Sequence, residues 1–142
     1  MGIIIKIYEI VENLKREHYT SDPIRIAESL GALIVYVPLV SVNGFYQRYQ
    51  DQDIIYINED LTEEEQILVC AHELGHMILH NDTNSIFLDT TLKIEAICEI
   101  EANAFAIQLL QDHLNLNTEI PIINWSVNNY AIKRRVFLNV ES

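Results

Sequence analysis

Ile3, Ile4, Ile7, Ile10, Val11 and Leu14 recur at spacings of three and four, a pattern that predicts an N-terminal helix running to about Arg16. Asp22 followed by Pro23 is an N-cap with proline in the first helical position, and Gly31 is a natural stop, so a short second helix lies between them. Residues 32–37 are β-branched, aromatic or small and end at Pro38, which predicts a strand. Residues 44–49 and 53–58 read as two more strands separated by a polar turn, and together these runs suggest a small antiparallel sheet. Thr62 with Glu65 three residues on is a capping box that opens a helix continuing through His80. That helix carries Ile67, Leu68, Val69, Cys70, Leu74, Met77, Ile78 and Leu79 nearly all round its circumference, so it should be buried. Ile94, Ile97, Cys98, Phe105, Leu109 and Leu110 predict another long helix over residues 92–111, and residues 125–138 predict a last one ending in Lys133, Arg134 and Arg135. The expected fold is a small α+β domain in which a short sheet packs on a buried helix, beside a second long helix.

Composition narrows this picture to one domain. The chain has 142 residues, 49% of them hydrophobic and 21% charged, with four glycines and three prolines to punctuate it. We read residues 1–142 as a single unit with its core over about 20–115 and a C-terminal appendage over 118–142. Nine basic residues against 21 acidic ones leave a net charge of −12, which excludes binding modes built on neutralising phosphates, whether of nucleic acid or of an anionic membrane. The imbalance is concentrated: between Tyr49 and Ile132 stand 15 of the 21 acids and a single base, Lys93. No run of 18 apolar residues occurs, Lys6, Glu9 and Glu12 interrupt the N-terminal stretch, and Lys6 occupies the position where a myristoylation signal has Ser or Thr. A cytoplasmic address is expected. Cys70 and Cys98 sit in helical apolar patterns without CxxC spacing, so they read as buried free thiols.

The residues that carry chemistry are His72-Glu73-Leu74-Gly75-His76, an HExxH match inside a helix assigned on independent grounds. Positions i and i+4 of a helix lie about 40° apart in rotation and one turn apart in rise, so both imidazoles can converge on one metal ion. Neutral imidazole is a good zinc donor, and Glu73 between the pair would sit close enough to take a proton from a water that the metal acidifies. Two neutral histidines and an ionisable glutamate would be costly to bury in an apolar helix without such a cation.

A catalytic zinc site usually has three protein ligands and one open position. An HExxHxxGxxH arrangement would need glycine at 79 and histidine at 82, whereas the chain has Leu79 and Asp82. The alternative is a glutamate from the following helix, where Glu99 and Glu101 are candidates. Glu101 lies in line with Ile94, Ile97, Cys98 and Phe105, on the stripe expected to face inward, while Glu99 lies beside Glu95 and Asn103 on a more polar side. Glu101 is therefore the favoured third ligand. Its separation of 25 residues from His76 is enough for the helix to end and an antiparallel one to return.

The strand-like DIIYIN at 53–58, AHELGHMILH at 71–80 and EIEANAFAIQLL at 99–110 occur in an order that resembles the ImmA/IrrE family of zinc metallopeptidases. IAESLGALIVYV at 26–37 is similar to that family's helix-to-strand entry, so the resemblance spans about residues 26–110. It implies a gluzincin-type fold, one Zn²⁺ per chain held by His72, His76 and Glu101, and Glu73 as catalytic base and proton shuttle. It also implies a substrate class: a helix-turn-helix transcriptional repressor, inactivated in a mobile element, prophage or stress response. After Leu109-Leu110 the family often continues with Met-Pro, and here Gln111-Asp112 follows.

Around this centre the sequence offers supporting residues. His80 continues the i, i+4 series from His76, but stands too far along the axis to share the ion easily, so it and Asn103 are candidates for orienting a ligand histidine; Asp82 is a weaker one. Cys98, one turn before Glu101, reads as a small core thiol. Tyr46, Tyr56, His113 and Tyr130 could each donate a hydrogen bond to a developing oxyanion. The strand at 53–58 is the natural partner for an extended substrate. Two rival readings stay open: a non-catalytic, zinc-containing protein that disables a repressor by binding it, and a zinc hydrolase of a non-peptide amide. The acidic middle segment favours a basic protein partner such as a DNA-binding repressor over nucleic acid itself.

Overall fold

The computed structural model describes residues 2–40, 42–80 and 92–111. The expected helix over 125–138, the appendage over 118–142, Asp82, His113 and Tyr130 lie outside the described residues. The elements in chain order are α1 (Gly2–His18), α2 (Pro23–Ser29), β1 (Leu33–Val37), β2 (Gly44–Tyr49), β3 (Gln52–Asn58), α3 (Glu63–Leu79) and α4 (Leu92–Leu110).

The small α+β architecture is the expected one, and the sheet corrects one detail. Its order is β1-β3-β2, with β2 antiparallel to β3 but β1 parallel to it, so the sheet is mixed rather than wholly antiparallel. The antiparallel hairpin closes through Gln50 and Asp51, both at positive φ (49° and 64°), so its twist matches that of the strands. β1 and β3 cannot be joined so tightly because they run the same way. β3 is therefore the inner strand, with Leu33 to Val37 on one side and Gly44 to Tyr49 on the other. Its ladder groups already serve both neighbours, which rules out 53–58 as the strand that pairs with an extended substrate.

Ile55 and Ile57 point from β3 into the core, and Phe45 stacks on Tyr56 across the opposite face with ring centroids 4.4 Å apart. The inner face meets α3. β2 comes so close to it that a Cβ on Gly44 would overlap the side chain of Val69 and the carbonyl oxygen of Tyr56. The entry into α3 is fastened at both ends. Asn58 donates to the carbonyls of Leu39 (2.8 Å) and Val42 (3.3 Å) and accepts from the backbone of Asp60. Four residues on, Thr62 Oγ1 accepts from Glu65 N–H while the Glu65 carboxylate accepts from Thr62 N–H, completing the capping box.

From Val69 to Met77 every residue of α3 is buried, as its apolar circumference requires. The sheet covers one flank, α2 another, and α4 the side that matters for the chemistry below. α1 contributes Ile7, Val11 and Leu14 to the same core and is pinned to α4 by Lys15 Nζ, which donates to the carbonyl of Gln108 at 3.1 Å. The hydrophobic core thus begins before residue 20. No helix among the described residues is long and apolar enough to cross a membrane.

Candidate metal centre

His72, Glu73 and His76 are 3%, 1% and 5% exposed, so the most polar stretch of α3 is also among its most deeply buried. Nothing in an apolar interior compensates such groups except partners brought by another element. Here the partners come from α4. Glu99 Oε2 lies 2.8 Å from His72 Nε2 and 2.8 Å from His76 Nε2, and the three ligand atoms fall within 4.8 Å of one another. One turn further along α4, Asn103 Oδ1 lies 3.0 Å from His72 Nδ1.

The carboxylate that reaches these two histidines is not the one the sequence favoured. Glu99, not Glu101, faces the two histidines; Glu101 Oε1 instead lies 2.8 Å from His80 Nε2, on the flank of the same helix. The reason is the face on which α4 packs. Its buried positions are Cys98, Glu99, Ala102, Asn103, Phe105, Ala106, Leu109 and Leu110, whereas Ile97 and Ile100 are 44% and 65% exposed. The inward arc is centred on the alanines, and Ile97, one of the residues that suggested otherwise, turns outward. α3 offers glycine at the crossing: a Cβ on Gly75 would stand 3.1 Å from Phe105 Cβ and 3.2 Å from both Cα and O of Ala102. Small residues on both helices bring the axes together, and Glu99 is on the arc that results.

Proton placement tests whether these residues suit a cation. Where Asn103 Oδ1 accepts from His72 Nδ1–H, a neutral His72 turns the lone pair of Nε2 toward the carboxylate. A lone pair and a carboxylate oxygen 2.8 Å apart repel unless a positive charge, a proton on the imidazole or a metal ion, lies between them. Two imidazole nitrogens and one carboxylate also form the donor set of an open tetrahedral zinc site. The residues fit the ion. Burial pushes the Glu99 carboxyl up, but the positive character of His76 and then His72 outweighs it and holds the group well below the usual carboxylate range.

His76 is oriented by a second chain of contacts. Its Nδ1 lies 3.1 Å from Nδ1 of His80, whose Nε2 meets Glu101. Burial lowers the basicity of His80, with Glu101 opposing that effect. With the proton of the nitrogen pair on His76, Nε2 of His76 presents its lone pair toward Glu99, and His80 Nε2–H donates to Glu101.

Residues 27–135 match the peptidase family described as the IrrE N-terminal-like domain. The chain belongs to this family. It is 35% identical over 102 residues, 70% of its length, to the uncharacterized immunity region protein 2 of Bacillus phage phi105, and 32% identical over 116 residues, 80% of its length, to the metallopeptidase ImmA of Bacillus subtilis strain 168. The chain spans about two thirds of the length of these curated relatives, 65% of the first and 68% of the second.

Within the IrrE-like chain the two described oxyanion candidates are both committed to the sheet. Tyr56 lies on the face turned away from α3 and donates to Gln47 Oε1 at 3.1 Å. Tyr46 lies on the inner face, where its hydroxyl is held 2.5 Å from Asp53 Oδ1; Arg48 donates to the same oxygen at 3.0 Å. Burial and the Asp53 carboxylate raise the Tyr46 phenol far above its ordinary value. Cys98 is a buried free thiol, as is Cys70, and burial pushes Cys98 up to about 11 with Glu101 and Glu99 adding to the effect.

The signal that would have found Glu99 is a second i, i+4 pair. Glu99 and Asn103 repeat on α4 the spacing of His72 and His76 on α3, so one turn of each helix meets one turn of the other. The closeness of that meeting gives a test. Gly75→Ala inserts a methyl against the α4 backbone, which can yield only by carrying Glu99 and Asn103 away. We expect a net loss of about 1 to 2 kcal/mol of stability in spite of alanine's better helix propensity, and metal affinity about tenfold weaker. Thermal melts and a metal titration of the variant measure both effects.

Proposed function

We propose that the chain is a zinc-dependent endopeptidase that cleaves a helix-turn-helix transcriptional repressor in the cytoplasm. The observation that carries this reading is the convergence of His72 Nε2 and His76 Nε2 on Glu99 Oε2, each at 2.8 Å, beside the buried Glu73. Membership of a peptidase family supports the reaction class, and the names of the two relatives, a phage immunity region protein and a metallopeptidase, support the setting.

His72, His76 and Glu99 would hold the ion. When bound, zinc acts as a Lewis acid that polarises the scissile carbonyl and brings the pKa of a water to about 7. The other steps belong to the chain's own groups. Asn103 and His80 hold the two imidazoles in the tautomer that presents Nε2. Glu73 takes a proton from the attacking water and returns it to the leaving amide nitrogen, and its burial keeps bulk water from competing for that proton. A purely structural zinc site has no use for such a carboxylate.

The acidic middle segment supports a basic partner: one zinc ion offsets only two of the chain's 12 net negative charges. The test is metal analysis of the purified protein, then incubation with the repressor encoded beside its gene. Cleavage that requires zinc and slows as salt rises is the expected result. Relief of repression with the repressor intact would replace catalysis by binding as the function.

A further inference from the structure

The side chains nearest the proposed centre but not part of it form a cluster of their own. A ring nitrogen of His80, Cys98 Sγ and a carboxylate oxygen of Glu101 lie within 4.8 Å of one another, and His80 Nε2 is 2.8 Å from Glu101 Oε1. His80 and Cys98 are 8% and 5% exposed, and the Glu101 side chain, at 20%, reaches toward solvent. Cys98 and Glu101 are one turn apart on α4, and His80 caps α3 with its backbone N–H on the carbonyl of His76 at 2.8 Å, so both elements hold the group rigidly.

From this geometry we propose that His80, Cys98 and Glu101 form a second cation site, selective for thiophilic divalent metals, beside the one formed by His72, His76 and Glu99. Selectivity follows from the donors. The second set contains a sulfur and the first does not, so a soft ion such as Cd²⁺ ranks the second site above the first, while harder ions gain nothing from it. Binding there releases the thiol proton to solvent and takes the lone pair of His80 Nε2.

The experiment titrates the metal-free full chain with Cd²⁺ while following the ultraviolet thiolate-to-cadmium charge-transfer absorption. Wild type is expected to develop this band. Cys98→Ser is expected to lose the band and to bind cadmium at least about tenfold more weakly. Its retained binding of one zinc ion shows that it is folded. Glu99→Gln and, from the other helix, His72→Gln should keep the band, because they touch only the first site. A wild type without the band, a band that survives Cys98→Ser, or a band lost in both first-site variants would overturn the second site. Failure of the first-site reading shows up separately, as zinc binding by Cys98→Ser that is unchanged when Glu99→Gln is added.

Discussion

Glu73→Gln is expected to lower peptidase activity by about 10² to 10⁴-fold while leaving the zinc content of the protein unchanged. Glutamine has nearly the same shape and fills the same buried space, so neither the packing of α3 nor the His72, His76 and Glu99 triangle has cause to move. What it lacks is an oxygen that accepts a proton as a base. The residues that would hold the metal are untouched, so its Lewis-acid contribution would set the residual rate, but the proton would have no carrier to the leaving nitrogen. Rates of repressor cleavage beside metal content for the two proteins decide the matter. A variant that cleaves at the wild-type rate would assign the base to another group.

The second large effect separates two glutamates two residues apart. Glu99→Gln removes the only carboxylate that faces both imidazoles among the described residues, and zinc affinity is expected to fall by at least about 100-fold, with activity following. Glu101→Gln keeps an amide oxygen for the hydrogen on His80 Nε2, so zinc affinity should fall by about tenfold or less. Competition with a chelator of known affinity measures both values. The opposite order would restore Glu101 as the ligand and require α4 to rotate from the face on which it packs.

Much of this centre was legible in the chain itself, because its information is local. The HExxH spacing, the capping box at Thr62 and Glu65, and the apolar circumference of residues 67–79 each concern residues within a few turns of one another, and helical geometry turns such spacing directly into position. The candidates for orienting the histidines were legible for the same reason: His80 follows His76 by one turn, and Asn103 lies in the one other motif rich in polar groups. In the structure these two side chains meet His76 and His72.

Three features were not legible, and all three concern which surface of one element meets another. The rotation of α4 depended on where helices approach most closely. Large isoleucines at 97 and 100 outweigh alanines in any count of hydrophobicity, yet the crossing is set by Gly75 against Ala102. The direction of β1 relative to β3 depended on β1 pairing with β3 rather than with β2, its neighbour in the chain, which the strand-like runs do not encode. The inner position of β3 followed from that order and removed it as a docking strand for substrate.

The division is thus between what one helical turn or one strand can specify and what only packing can. By itself, the amino-acid sequence determined the chemistry: two imidazoles and a carboxylate at helical spacing, a buried helix to hold them, and a family pattern to match. Tertiary structure decided the third partner. Carboxylates at 99 and 101 stand about 200° apart around a helix axis, and the close approach of α4 to Gly75, where a Cβ would come within 3.2 Å of Ala102, turns only Glu99 toward His72 and His76.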